Sequence, residues 1–188
     1  MLFRSIEEAS GSGALRMLNH ATLPAEFTRT FEHAESTGPR RFLYPGQIFV
    51  STDPICISTI LGSCAALCLW DGRKKAGGLN HYLLPEGPDD GPNRLRYGTI
   101  ANPELLRRVL ALGCEVRHLE AKLFGGATAF GPDPSRSLGA RNVRLAEEFL
   151  RSHGIPLVEK DVSGKRGRRL VFRISDGVTL IKNFDQVS

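Results

Sequence analysis

The chain has 188 residues, 41% of them hydrophobic and 24% charged, with a formal net charge of +5 at pH 7. That is enough for one domain with a substantial core, and it excludes a disordered or low-complexity polypeptide. No apolar run approaches the roughly 20 residues of a membrane span, and Glu7 and Glu8 stand where a signal peptide has its hydrophobic core, so a cytoplasmic protein without membrane insertion is expected.

Residues 1–41, with Ser10-Gly11-Ser12-Gly13, Ser36-Thr37-Gly38-Pro39 and only scattered apolar positions, read as a variable, partly ordered extension. Leu23 and Phe27 are its candidates for docking on the body, and residues 42–188 form the domain proper. Ile48-Phe49-Val50 reads as a strand over 47–51, and Ile55 to Ile60 continues β-rich sequence. Ala65 to Trp70 is apolar at every position, as expected of a strand buried on both faces, and Leu79 to Leu84 is similar across the polar segment Asp71-Gly72-Arg73-Lys74. These two read as a hairpin.

After a loop from Glu86 to Asn93, Asn102-Pro103 offers a helix start with a capping side chain and a first-turn proline, ending near Gly113. A strand from about Arg117 to Phe124 and a helix from about Asn142 to Gly154 follow. Leu157–Val162, Leu170–Ile174 and Val178–Ile181, the last two joined across Asp176-Gly177, complete a strand-rich end. The fold class expected is α/β: a single-domain layered sandwich in which a mixed, largely antiparallel sheet packs with helices.

Chemistry concentrates at Ser58-Thr59-Ile60-Leu61-Gly62-Ser63-Cys64 and at His81 in Gly77-Gly78-Leu79-Asn80-His81-Tyr82. A thiol attacks usefully as its thiolate, which an adjacent imidazole stabilises, and Gly62-Ser63 permits the sharp bend that presents a nucleophile. A lone Cys and a lone His are more often core packing, so the wording around the pair carries the weight. If Asp71 to Lys74 is a four-residue hairpin loop, Trp70 pairs with Lys75, Cys68 with Gly77 and Cys64 with His81, with Cβ atoms about 4.5–5.5 Å apart on one face. Gly77-Gly78 is a candidate for a bulge that would alter this register. Asn80, beside His81, points to the opposite strand face and reads as structural.

Cys56, Cys64, Cys68 and Cys114 form no CxxC pair and no zinc-ligand spacing, so neither a metal nor a cofactor is expected. In a reducing compartment all four read as free thiols, with Cys56, Cys68 and Cys114 as small buried hydrophobes. The basic runs Arg40-Arg41 and Lys165-Arg166-Gly167-Arg168-Arg169 lack interleaved aromatics, which argues against nucleic acid. Phe124-Gly125-Gly126-Ala127 offers close backbone approach, so Gly125 and Gly126, with Ser63, are candidates for substrate or oxyanion contacts; a strand-ending turn explains the glycines equally well.

Leu61-Gly62-Ser63-Cys64, Cys68-Leu69-Trp70-Asp71, His81-Tyr82-Leu83-Leu84-Pro85, Arg96-Tyr97, Ala121-Lys122-Leu123-Phe124-Gly125-Gly126-Ala127, Arg141-Asn142 and Gly164-Lys165-Arg166-Gly167-Arg168-Arg169 occur in one order across about residues 43 to 183. In this the chain resembles the CheD family of bacterial chemoreceptor glutamine deamidases. The resemblance implies hydrolysis of glutamine side-chain amides on receptor cytoplasmic helices, with Cys64 as nucleophile and His81 as base. It places the third member of the site six residues before the cysteine, at Ser58, with Thr59 adjacent as the rival; either hydroxyl can fix the imidazole tautomer. It also implies a CheC-type phosphatase as a partner. Competing readings are a regulatory module for such a phosphatase with little catalysis, and a cysteine amidase acting on another protein. Receptor glutamyl methyl esters, which share the acyl group, are a further substrate for the same chemistry.

Overall fold

The computed structural model describes residues 38–128 and 136–184. Leu23, Phe27 and most of the proposed extension therefore lie outside the described residues. The strands are β1 (Arg40–Phe42), β2 (Gln47–Ser51), β3 (Cys56–Leu61), β4 (Ala65–Asp71), β5 (Ala76–His81), β6 (Leu119–Gly125), β7 (Leu157–Val162), β8 (Arg168–Arg173) and β9 (Thr179–Asn183). The helices are α1 (Gly98–Ala111) and α2 (Leu138–Ser152).

The strands form two sheets rather than one, β1-β3-β8-β9 and β2-β5-β4-β6-β7. Each is mixed, because β1 runs parallel to β3 and β6 parallel to β7 while the other pairs are antiparallel. The helices pack on the five-stranded sheet alone, giving three layers. Strand alternation then divides the core. On β4, Ala65, Leu67 and Leu69 face the helices with Leu105, Val109 and Ala146, whereas Ala66 and Cys68 face the second sheet with Ile57, Leu61, Leu170 and Phe172. This explains why β4 is apolar at consecutive positions: both its faces are interior.

Three details differ from the sequence expectation. The β4–β5 turn is Gly72–Lys75, so Trp70 pairs with Gly77 and Cys68 with Leu79, two residues from the expected register. Lys75 supplies the left-handed position at φ 51° that the turn requires. Helix α1 starts at Gly98, with Pro103 inside it, because Asn102 is not a cap: its Oδ1 is buried and accepts Asn80 Nδ2 at 2.8 Å. Helix α2 likewise starts one turn earlier than expected, capped by Ser137, whose Oγ accepts the Ala140 amide at 3.1 Å. The glycines of β5 form no bulge with β4. A Cβ on Gly77 would lie 2.3 Å from Leu69 O and one on Gly78 2.4 Å from Phe49 O, so both are required by close backbone approach.

The four cysteines stand outside disulfides among the described residues, with Cys56, Cys68 and Cys114 buried and Cys64 half-buried. Asn80 is structural, as expected, its Oδ1 accepting the Leu67 amide at 2.9 Å on the helix-facing side.

Candidate active site

Cys64 sits in the bend between β3 and β4, which carries it from the four-stranded to the five-stranded sheet. Its strand parity is that of Ala66 and Cys68, and it packs on the inter-sheet core. His81 ends β5, and the backbone pair Ala65–Tyr82 extends the β4–β5 ladder so that Ala66, not Cys64, is directly opposite His81. Cys64 is the diagonal neighbour on the same face, about 7–8 Å away between backbones. A slip of two residues preserves the face; a slip of one would have separated the pair.

The hydroxyl that reaches His81 belongs to Thr59. Thr59 Oγ1 lies 2.8 Å from His81 Nδ1 and donates to Leu43 O at 2.7 Å, and both residues are buried. Ser58, named first by the resemblance, alternates to the outer face of β3, half-buried beside its partners Phe42 and Val171. Thr59 has one hydroxyl proton. Since that proton goes to Leu43 O, the imidazole must donate from Nδ1–H, and the neutral ring carries its lone pair on Nε2. Nε2 is buried without a hydrogen-bond partner among the described residues.

Burial sets the protonation states. It pulls the His81 imidazole down from 6.5 to about 4, opposed by the Leu43 carbonyl, and it pushes the Cys64 thiol up, opposed by a hydrogen bond from its own amide. The resting pair is therefore neutral thiol and neutral imidazole, where sequence alone pointed to a stabilised thiolate. A base that is deprotonated at neutral pH and a thiol that ionises only as its proton is taken form a coherent pair.

The glycines hold the backbone around Cys64. Gly126 N–H donates to Cys64 O at 2.7 Å, and Ala127 N–H to Gly62 O at 2.8 Å, so the Gly126 amide is occupied. Gly125 pairs with Ala65 and Val162 inside the sheet, and its carbonyl accepts Ser163 N–H at 2.9 Å. Of the two glycine candidates, Gly126 thus has its amide engaged by Cys64 O and Gly125 has its carbonyl engaged by Ser163. Both have positive φ, 104° and 65°, and a Cβ on Gly125 would lie 2.3 Å from Cys64 O. The amides of Ser63 and Cys64 donate to no other residue among those described.

Asn142, quoted above only as part of a motif, has a positioning role that spacing alone did not reveal. From the second turn of α2 its Nδ2 donates to Ser63 O at 3.0 Å and to Leu83 O at 2.9 Å, tying the bend before Cys64 to the chain after His81. Tyr82 OH donates to Asn142 O at 2.6 Å, locking the same helix to the end of β5. A groove of about 340 Å³ between α1 and α2, lined by residues including Thr99, Pro103, Leu145 and Phe149, contains neither Cys64 nor His81.

Residues 83–183 match the family model described as CheD chemotactic sensory transduction. A protein of Anaeromyxobacter dehalogenans named probable chemoreceptor glutamine deamidase CheD 1 is 42% identical over 142 residues, covering 75% of this chain and 82% of its own. The chain belongs to the CheD family. Further members named probable chemoreceptor glutamine deamidase CheD, from Rhodospirillum rubrum and Sulfurimonas denitrificans, are 41% and 37% identical over 146 and 145 residues, covering 77% and 76% of this chain and 82% and 93% of their own. A 142-residue span cannot start after residue 47 of a 188-residue chain, so the stretch similar to the first CheD relative includes Thr59, Cys64 and His81. Among the described residues, no helix is long and apolar enough to cross a membrane.

Proposed function

We propose that this CheD protein deamidates glutamine side chains on the cytoplasmic helices of chemoreceptors, using Cys64 as nucleophile, His81 as base and Thr59 to orient the base. The observation that carries this reading is the Leu43–Thr59–His81 hydrogen-bond chain, which directs the basic lone pair to Nε2 on the face that Cys64 shares. His81 Nε2 takes the Cys64 proton as the thiolate attacks the glutamine Cδ. The amides of Ser63 and Cys64 are the donors proposed for the oxyanion. Collapse of the tetrahedral intermediate expels ammonia, protonated by His81, and leaves a thioester. Water, deprotonated by His81, attacks the thioester; glutamate leaves and the thiol is restored.

The substrate places the enzyme in the cytoplasm, and the net charge of +5 favours encounter with glutamate-rich receptor helices. Residues 42–188 are proposed as the catalytic unit, with residues 1–41 as its extension. A CheC-type phosphatase is the proposed regulatory partner.

The test is mass spectrometry of a receptor cytoplasmic fragment incubated with wild-type or Cys64→Ala protein. A gain of about one dalton per modified glutamine with wild type alone is expected. A Cys64→Ala protein that deamidates at the wild-type rate sinks the scheme.

A further inference from the structure

The basic motif at residues 164–169 reads in sequence as a solvated charge run, yet Arg168 is 3% exposed. Burying a guanidinium costs several kcal/mol unless its donors are well matched, so its partners show what the charge organises. Nη1 donates to the carbonyl and the carboxylate of Asp161, and Nη2 donates to Ser163 O. The fork thus gathers the β7–β8 turn around one planar cation. The turn includes two left-handed residues, Ser163 at φ 66° and Gly164 at φ 73°.

That turn clasps the strand end behind the nucleophile. Ser163 N–H donates to Gly125 O at 2.9 Å, and Thr128 N–H donates to Gly164 O at 2.7 Å. Between these two bonds lie Gly126 and Ala127, whose amides hold Cys64 O and Gly62 O. Arg168 also approaches from the other side, since its backbone pairs with Leu61, the residue that opens the Gly62-Ser63-Cys64 bend. One residue therefore touches both supports of the nucleophile loop.

We propose that Arg168 is a positioning residue for Cys64, setting the nucleophile loop through the Asp161–Gly164 turn and the Gly125–Thr128 strand end. The inference rests on Cys64 being the nucleophile. It assigns Arg168 no contact with substrate.

The test compares wild type, Arg168→Lys and Asp161→Asn in receptor-fragment deamidation, in the pH profile of Cys64 alkylation by iodoacetamide, and in thermal unfolding. Lysine keeps the charge and loses the fork. A misplaced nucleophile predicts a kcat loss of about 10- to 100-fold with KM within about twofold, together with a displaced pH midpoint for Cys64 alkylation. Asp161 is 41% exposed at its side chain; Asp161→Asn should retain the fold and show a smaller loss, about threefold, decided alone if Arg168→Lys does not fold. Wild-type kcat and a wild-type alkylation profile in a folded variant, with only a lower Tm, overturn the proposal. Wild-type protein inactive on receptor overturns the functional reading instead, and the alkylation profiles still judge Arg168.

Discussion

Lowering the pH below about 6.5 should destabilise this protein through His81. The folded imidazole is held at about 4 against 6.5 for an unperturbed histidine, so the unfolded chain binds a proton across this window and the folded chain does not. Stability is therefore fully present above about 6.5 and is lost as the pH falls toward 4. Between pH 7 and pH 5 the loss from this one group works out at about 2 kcal/mol, and over the whole interval at about 3 kcal/mol. The side chain is 1% exposed, so solvent screening does not erode the effect. Glu104, held at about 2 by Arg107 and Arg108, loses its contribution only as the pH falls below about 4.5 and leaves the interval from pH 7 to pH 5 to His81. The assay is urea unfolding of wild type and His81→Gln at pH 7 and pH 5. The glutamine variant starts less stable, since it loses the ring's Nδ1 hydrogen bond to Thr59, but it should lose about 2 kcal/mol less than wild type across the interval. Equal losses in the two proteins refute the argument, as does an imidazole NMR titration with its midpoint near 6.5.

Thr59→Val removes the hydroxyl that fixes the tautomer and should lower the rate of ammonia release by about 10- to 100-fold, whereas Thr59→Ser keeps most of it and Ser58→Ala stays near wild type. A large loss from Ser58→Ala with a mild effect from Thr59→Val would return the third position to Ser58. Asn142→Ala deletes both N–H bonds that join Ser63 O to Leu83 O and leaves those two carbonyls without their side-chain donor. The expected cost is about 2–3 kcal/mol, measured as a fall in denaturant midpoint at unchanged m-value.

By itself the sequence determined the chemical types at the site and the elements that bear them. Cys64 after Gly62-Ser63, His81 at the end of an apolar run, and ordered motifs extending to Arg169 were enough to name a candidate nucleophile, a candidate base and the family. Strand alternation is a local property, so the expectation that Cys64 and His81 share a face survived a register error of two residues. The division into two sheets was not legible. An apolar strand such as β4 looks the same whether its second face meets helices or another sheet, and β1 is too short to stand out from the segment before it. Tertiary structure alone brought the Thr59 hydroxyl, and not that of Ser58, to His81, because two adjacent hydroxyls on one strand differ in which sheet face they meet. It likewise engaged the Gly126 amide with Cys64 O, gave Asn142 its two carbonyls, and buried Arg168 within a run of basic residues. These roles rest on hydrogen bonds between residues as many as 79 positions apart. Such contacts follow from register and layer packing, which no local pattern of residues encodes.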